Sequence, residues 1–305
     1  MSRTPRSIDQ DVPKTVPWRE IASFLALAFA LAWTPELIAL ARGVRFRSLT
    51  IGSSVLLAIV MITPAVAAAV TRRFVTREGF ATAGLRRGPW RPYVVIWVSV
   101  PILTMGVYAA TIALGLGRFD PTLSQLMERI HEAAAGRPIP PLPSPPVLGA
   151  VMFAQSLIVG ALITTVFTFG EEFGWTGYLL IKLLPLGRWR AAIIYGTIWG
   201  LWHAPVIAGG YNYPGYPVLG PLLMCLLACS LALTQTALRL RFNSVIVTSF
   251  FHASVNAQGL GVLPMFVVGV SPVLGGITGL VGILVLGTVG AYLLAHSGDA
   301  TPGRA

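Results

Sequence analysis

Long uninterrupted apolar runs constrain this chain more than any other feature of its sequence. About 20 apolar residues at 1.5 Å each cross a hydrocarbon core of about 30 Å, so such runs are read as membrane-spanning helices. The charged fraction is only 11% and the mean hydropathy is +0.74, which is far from the balance of soluble globular proteins. We therefore expect an all-α polytopic membrane bundle with about eight transmembrane helices. The runs place the spans at Ile21–Ala41, Leu49–Val70, Tyr93–Leu116, Val147–Phe169, Ala191–Ala208, Val218–Leu238, Val245–Leu263 and Val273–Ala295.

The basic residues lie in the gaps between these runs and predict the orientation. Alternate gaps carry roughly 16 against 6 Lys and Arg residues, and the richer set includes both chain ends. Both termini are therefore predicted to be cytoplasmic. Residues 1–20 form an amino-terminal tail, 21–296 the membrane-embedded domain and 297–305 a short carboxyl-terminal tail. Topology explains the net charge of +11, so no nucleic-acid partner is expected. Short loops and an Ala/Gly/Arg-rich composition favour a bacterial plasma membrane.

The longest gap, Gly117–Pro146, is predicted to lie on the outer face. Within it, Pro121–Ala135 carries apolar residues at helical spacing, which fits an interfacial helix. The stretch Pro138–Pro146 is too rich in proline for a helix and is expected to run extended. Elsewhere, Cys225 and Cys229 share one face of a spanning helix and are interpreted as small packing residues.

Three apolar segments in the second half of the chain carry isolated ionisable residues in or next to the predicted spans. Glu171 and Glu172 are the only charged residues between Arg137 and Lys182. His203 and His252 are the only groups that titrate near neutral pH in the long apolar segments around them. An intramembrane ionisable residue is expensive to retain and is by default a functional-site hypothesis.

Depth and spacing suggest that these residues meet. The helical rise puts Glu171 and His203 about 20 Å from the cytoplasmic edge and His252 about 14 Å from it. Trp199 and His203 are four residues apart, as are His252 and Asn256, so each pair shares a helix face. Two carboxylates, two imidazoles and an amide in one cleft predict catalysis.

These residues resemble the three motifs of the CPBP family, which contains membrane-embedded CAAX prenyl endopeptidases and bacteriocin-processing or self-immunity proteins. The first motif is a Glu-Glu pair with an Arg four residues on, matched by Glu171 and Glu172 except that Thr176 replaces the Arg. The second is an aromatic residue separated by three residues from a His, matched by Trp199 and His203. The third is matched by His252 and Asn256. The resemblance covers roughly Val147–Leu263.

The resemblance implies an intramembrane peptidase with a cleft open to the cytoplasm and a membrane-associated protein or peptide as substrate. It implies that Glu171 with His203 activates a water and that His252 and Asn256 stabilise the oxyanion, while Glu172 orients the pair. The preferred mechanism depends on glutamate and requires no cofactor. A metalloprotease is the alternative, in which Glu171, His203 and His252 bind Zn²⁺.

Thr176 opens further alternatives, because a hydroxyl cannot reproduce the bidentate contact of an arginine. A non-catalytic membrane immunity or scaffold protein would fit a degenerate site. A proton-coupled transporter is the third hypothesis, since buried Glu and His residues can relay protons. The transporter is less favoured because the polar groups occur only in the second half of the chain, without the paired halves that are usual in transporters.

Overall fold

A computed structural model describes residues 8–47, 50–134 and 137–297. The described residues are mainly helical, and the predicted helical membrane bundle is confirmed. The first seven residues of the predicted amino-terminal tail, Leu49, Ala135 and residues 298–305 lie outside the described residues. The α-helices of the described chain are α1 Trp18–Ala41, α2 Ile51–Val60, α3 Thr63–Val70, α4 Arg91–Ala113, α5 Ser124–Ala134, α6 Pro145–Gln155, α7 Ala161–Gly174, α8 Leu180–Leu183, α9 Arg188–Trp202, α10 Ala204–Ala208, α11 Leu219–Phe242, α12 Val245–Ser254 and α13 Leu280–Ala295.

Short helical segments of other types join several of these helices. π-helical turns at Thr71–Val75, Ser156–Gly160, Trp175–Leu179 and Val255–Val262 extend α3, link α6 to α7, link α7 to α8 and extend α12. Turns of 3₁₀ helix occur at Ile8–Gln10, Ala81–Ala83, Leu184–Leu186 and Leu263–Phe266. Two short strands, β1 Arg118–Phe119 and β2 Val267–Val268, pair antiparallel with Arg118 opposite Val268.

Five helical stretches of the described chain are long and apolar enough to cross a membrane. They are Trp18–Ala41, Ile51–Thr76, Arg91–Ala113, Pro145–Leu186 and Leu219–Phe242. The other predicted spans are shorter or interrupted: α9 ends at Trp202, α12 becomes π-helical at Val255, and α13 begins at Leu280 rather than Val273. The number of eight spans and the cytoplasmic position of both termini stay predictions.

Glycines bring α7 against the junction of α2 and α3. A Cβ at Gly170 would lie 2.6 Å from the Met61 carbonyl oxygen, and one at Gly174 would lie 2.5 Å from Pro64 Cβ. Only glycine allows two backbones to approach this closely in a membrane bundle. The helix that carries Glu171 and Glu172 is therefore fixed on this face by backbone contact.

A second close contact joins α9 to α11. A Cβ at Gly196 would lie 2.7 Å from Cys229 Cα, and one at Gly200 would lie 2.4 Å from Cys225 Cα. Both cysteines are free. They pack against the two glycines with the same four-residue period, in agreement with their predicted packing role. This contact places the site residues of α9 beside α11.

Charged residues concentrate at one end of the bundle, which we call the basic end. Lys182 Nζ contacts Glu78 Oε2 at 2.9 Å and Glu20 Oε2 at 3.0 Å, while Arg72 contacts Glu78 at 3.1 Å. Arg72 also donates to the Gly177 carbonyl at 2.9 Å. The amino-terminal segment, the segment after α3 and the end of α8 therefore meet at one end.

The opposite end carries the strand pair and α5. Leu126, Met127 and Ile130 are half-buried and Leu123 is buried, so the amphipathic helix predicted within Pro121–Ala135 is present as α5. The proline-rich prediction was wrong at its end, because α6 begins at Pro145. Proline is compatible with the first turn of a helix, where its missing N–H leaves no hydrogen bond unmade.

Candidate functional site

Glu171 and Glu172 lie in the last turn of α7, where the chain is almost completely enclosed. Glu171 is 2% exposed and Glu172 is 0% exposed. A buried carboxylate must find hydrogen-bond donors, because the cost of leaving it unpaired in a low-dielectric interior is large. The two neighbouring carboxylates accept hydrogen bonds from donors on different helices.

The Glu171 carboxylate is bonded to an indole. Trp199 Nε1 on α9 donates to Glu171 Oε2 at 2.7 Å. The same indole lies 5.0 Å from the His252 ring in a T-shaped arrangement and 5.9 Å from the His203 ring, between ring centroids. Trp199 therefore sits at the centre of the cluster and contacts residues from α7, α9 and α12.

Glu172 points to α11 and α12. Its Oε1 receives Gln235 Nε2 at 2.5 Å and lies 3.0 Å from His252 Nδ1. Its Oε2 receives the Thr176 hydroxyl at 3.0 Å. We call Thr176, Gln235 and His252 the Glu172 clasp. The clasp joins three helical segments of the second half of the chain.

His203 and Asn256 form the more open side of the cluster. His203 follows the last residue of α9, its Nδ1 lies 2.9 Å from the Trp199 carbonyl oxygen, and its ring stands edge-on to Trp202 at 4.8 Å. Asn256 is one turn beyond His252, in the π-helical extension of α12. Both residues are half-buried, whereas the two glutamates are buried.

The predicted joint action of Glu171 and His203 on a water stays a prediction, and the observed hydrogen bonds divide the two carboxylates between different neighbours. The structure brings Glu171, Glu172, His203 and His252 together around Trp199, but Glu171 hydrogen-bonds Trp199 instead of His203. The bonded carboxylate–imidazole pair is Glu172 with His252. Sequence spacing placed residues on helix faces but did not show which of two adjacent carboxylates would turn to which neighbour.

The cluster is closed towards the basic end, and the predicted opening of the cleft to the cytoplasm stays a prediction. Thr176 and Tyr178, which lie between Glu172 and that end, are fully buried. Arg72 and Arg239 donate to the carbonyls of Gly177 and Thr176, and these bonds close the end over the site. The half-buried members of the cluster, His203 and Asn256, instead mark its accessible side.

The conditional metal site does not form. Among the described residues, no group of three or more His, Cys, Asp or Glu side chains is arranged to hold a metal ion. Glu171, His203 and His252 had been predicted as such a group. Glu171 is turned to an indole, and Nδ1 of each imidazole is already engaged by Trp199 O or Glu172. The mutual arrangement of the three side chains, rather than these bonds, is therefore what argues against a metal site, since Nε2 of neither imidazole takes part in them.

Sequence reasoning missed Gln235, Tyr195 and Thr248. Tyr195 OH donates to Gln235 Oε1 at 2.7 Å, and the hydroxyls of Thr248 and Thr176 are 3.0 Å apart. The prediction started from ionisable groups and added only the polar or aromatic residues one helical turn from them. A glutamine in the apolar run of α11 was an available signal, since amides and hydroxyls in spanning helices commonly bond neighbouring helices.

Comparison with known families identifies the segment that contains the cluster. Residues 153–258 match the family model described as "Type II CAAX prenyl endopeptidase Rce1-like". This segment of the chain is therefore similar to the Rce1-like family. This confirms the resemblance drawn from the three motifs, and the segment includes Glu171, Glu172, His203, His252 and Asn256. No curated protein matches the chain.

Proposed function

We propose that this multi-pass membrane protein is an intramembrane endopeptidase that hydrolyses a peptide bond in a membrane-associated protein or peptide. One observation carries the proposal. Inside the segment that matches the Rce1-like family, the Glu171 carboxylate and two imidazoles, carried by three helical segments, converge on the Trp199 indole, and Glu172 bonds one of these imidazoles. We further propose that the catalytic core lies within residues 147–263.

Peptide hydrolysis needs a nucleophilic water, and Glu171 with His203 would supply it. A hydrogen bond from His203 Nδ1 to the Trp199 carbonyl leaves Nε2 as the nitrogen with a lone pair. Glu171 keeps one carboxylate oxygen free of the indole and can accept a proton from a water bound between the two residues. General acid–base catalysis of this kind contributes about 10²- to 10⁴-fold to the rate.

The developing oxyanion needs donors on the other side of the scissile carbonyl. His252 and Asn256 would supply them, since they lie one turn apart on the same helix and Asn256 is half-buried beside the cluster. Donors already oriented before the reaction cost no reorganisation in the transition state. Glu172 would contribute by holding His252 as an imidazolium, because it accepts the Nδ1–H and leaves Nε2–H to donate to the oxyanion.

The substrate class follows from the surroundings of the cluster. His203 and Asn256 are its accessible residues, so we propose that a peptide segment enters on their side within the bilayer. We propose a bacterial plasma membrane as the location, where a substrate without a prenyl group is favoured over a prenylated one. No step of the proposed mechanism uses a metal.

The test is cleavage of a peptide library by the purified protein in lipid nanodiscs. The library contains matched prenylated and unmodified peptides, and products are identified by mass spectrometry. We expect the parent protein to cleave, and Glu171→Gln, His203→Ala and His252→Ala to lose cleavage while they retain the circular dichroism spectrum and elution volume of the parent. Glu20→Gln is the matched control at the basic end and should cleave normally.

The same preparation separates the competing hypotheses. Unchanged turnover in Glu171→Gln would exclude the proposed mechanism. Elemental analysis with chelator treatment addresses the metalloprotease alternative, which requires a stoichiometric metal and loss of activity on its removal. Proton flux in liposomes that stops in Glu171→Gln would support a transporter, and absence of any turnover in the parent would support a non-catalytic immunity or scaffold protein.

A further inference from the structure

The Glu172 clasp contains a glutamine that nothing in the three family motifs predicts. Gln235 is fully buried on α11, and its Nε2 lies 2.5 Å from Glu172 Oε1. His252 Nδ1 lies 3.0 Å from the same oxygen. Two donors on different helices therefore share one carboxylate oxygen, which fixes the position of that oxygen relative to the imidazole.

Tyr195 determines the orientation of the Gln235 amide. Tyr195 OH lies 2.7 Å from Gln235 Oε1, and both side chains are fully buried. A carboxylate accepts only, so the amide must present its NH₂ group to Glu172 and its oxygen to the tyrosine hydroxyl. The result is a directed chain of donors from Tyr195 on α9, through Gln235 on α11, to Glu172 on α7.

Thr176 completes the clasp with a neutral donor. Its hydroxyl bonds Glu172 Oε2 at 3.0 Å and lies 3.0 Å from the Thr248 hydroxyl. Thr176 and Thr248 are both fully buried, and Arg239 Nε donates to the Thr176 carbonyl at 3.2 Å. An arginine side chain at position 176 would have to displace Thr248 and would approach a guanidinium that is already present.

We propose that Gln235, oriented by Tyr195, is a positioning residue for catalysis. It fixes the Glu172 carboxylate, which in turn holds His252 with Nδ1 bonded and Nε2 presented to the substrate. Together with Thr176, it holds with neutral donors a carboxylate that an arginine at position 176 would hold by charge. The expected effect on peptide cleavage rests on the proposed function. The expected effect on the state of the His252 ring rests on the geometry of the clasp alone.

The fold offers a matched control in a second buried glutamine. Gln258, in the π-helical extension of α12, is fully buried like Gln235 but has no hydrogen-bond partner for either amide atom in the described part of the chain. Gln235→Leu and Gln258→Leu therefore both replace a fully buried glutamine with an apolar residue. Only Gln235→Leu removes a contact to Glu172.

The first measurement is the nitrogen NMR spectrum of the imidazole rings in protein labelled with ¹⁵N-histidine. The chain has only four histidines, so His252 is assigned by comparison with single substitutions of the others. We expect the parent to show His252 protonated at both ring nitrogens and hydrogen-bonded at Nδ1. Gln235→Leu and, to a smaller extent, Tyr195→Phe should give a mixture of ring states, whereas Gln258→Leu should give the parent spectrum.

The second measurement is peptide cleavage. Loss of one hydrogen bond to a charged group predicts a fall in kcat of about 10- to 100-fold in Gln235→Leu, with KM within about twofold of the parent. Gln258→Leu should keep the parent kcat. Tyr195→Phe, which keeps the ring, provides a folded variant if Gln235→Leu does not insert correctly.

The outcomes separate this inference from the proposed function. An unchanged His252 spectrum in both Gln235→Leu and Tyr195→Phe overturns the positioning role, even where the protein is a protease. If the His252 spectrum changes in Gln235→Leu and Tyr195→Phe but the parent protein cleaves no peptide, the clasp is retained and the proposed function is rejected. Equal loss of kcat in Gln235→Leu and Gln258→Leu would show that Gln235 acts only through packing, and would overturn the inference.

Discussion

Two carboxylates on different parts of the bundle are stabilised by opposite means. Glu172, inside the site, is completely buried and is held by a threonine hydroxyl, a glutamine amide and one imidazole. Glu78, at the basic end, is 25% exposed and is held by the charges of Arg72 and Lys182. A buried charge needs donors of fixed geometry, whereas a solvated one can pair with flexible cations at little cost or gain.

This difference predicts that substitutions in the site reduce activity, whereas substitutions at the basic end have little effect on it. In the site, each donor has a fixed place in a low-dielectric environment, so the loss of one disturbs the others. At the basic end, water and salt can replace a lost partner. The five predictions below compare the two regions in order of decreasing effect.

The largest effect is expected from Glu172→Gln, with Glu78→Gln as its counterpart. The amide at position 172 must turn NH₂ towards the Gln235 amide and His252 or towards Thr176, so it cannot accept all three bonds. We expect turnover to fall about 100-fold or more, in the range of lost acid–base or oxyanion assistance. Peptide cleavage in nanodiscs measures this, and Glu78→Gln should stay within about threefold of the parent. Similar losses in both variants would contradict the comparison.

The next effect concerns the backbone contact that supports the site. A methyl group at Gly200 would meet Cys225 Cα at 2.4 Å, so Gly200→Ala must push α9 from α11. Overpacking of this kind costs about 1–3 kcal/mol. Gly106→Ala in α4 is the matched control, because no atom lies within 4 Å of its added methyl group. Reversible unfolding in detergent compares the two; an unaffected Gly200→Ala would show that this contact is not tight.

Trp199→Phe keeps an aromatic ring in the site but removes the indole N–H that bonds Glu171. Loss of one hydrogen bond to a carboxylate predicts about a tenfold fall in kcat. Trp189→Phe, on the same helix but with an exposed side chain, should leave kcat unchanged. Equal kcat in Trp199→Phe and the parent would show that the indole N–H does not orient Glu171.

Lys182→Met tests the basic end. Lys182 loses its contacts to Glu20 and Glu78, both of which are partly exposed. We expect a decrease of less than about 1 kcal/mol in the free energy of unfolding, which shrinks as salt is raised, with unchanged peptide cleavage. Unfolding at low and high ionic strength provides the measurement. A large decrease that is insensitive to salt would mean that the network behaves like the buried clasp.

Asp120 gives the smallest effect and sharpens the comparison further. Like Glu172, it accepts hydrogen bonds from hydroxyl groups, but it lies in the segment between spans. Hydrogen bonds from Ser124 and Thr122 lower the pKa of Asp120 from 3.8 to about 2. Because this pKa is depressed in the folded state, the stabilisation is complete above about pH 4 and is lost as the pH falls towards 2. Thermal unfolding of the parent and Asp120→Asn should therefore differ above pH 4 and converge near pH 2. A constant difference across this range would contradict the assignment.

Part of this structure was predictable from the spacing of residues. The runs of apolar residues predicted long helices, and the charges inside them singled out Glu171, Glu172, His203 and His252, which do lie in one cluster. The helix α5 was predicted from the spacing of Leu126, Met127 and Ile130, and its interfacial position stays a prediction. These predictions succeeded because each depends on local periodicity and on the cost of a charge in hydrocarbon.

Other features could not be read from spacing. Gln235 and Tyr195 lie 40 residues apart and bond each other only because α9 and α11 approach through glycine and cysteine. The π-helical segments, which change the direction of side chains after Gly174 and Ser254, have no simple signal in the sequence. The closure of the basic end depends on carbonyls of Thr176 and Gly177 that any residue would provide.

The sequence by itself determined that this chain forms a helical membrane bundle, that it carries an Rce1-like segment, and which ionisable residues must be buried together. It could do so because hydropathy and the helical period depend only on residues that are close together in the sequence. Only the tertiary structure decided that Glu171 turns to Trp199 and Glu172 to His252 and Gln235. That choice depends on the distances between separate helices, which are set by backbone packing and leave each carboxylate a different set of donors.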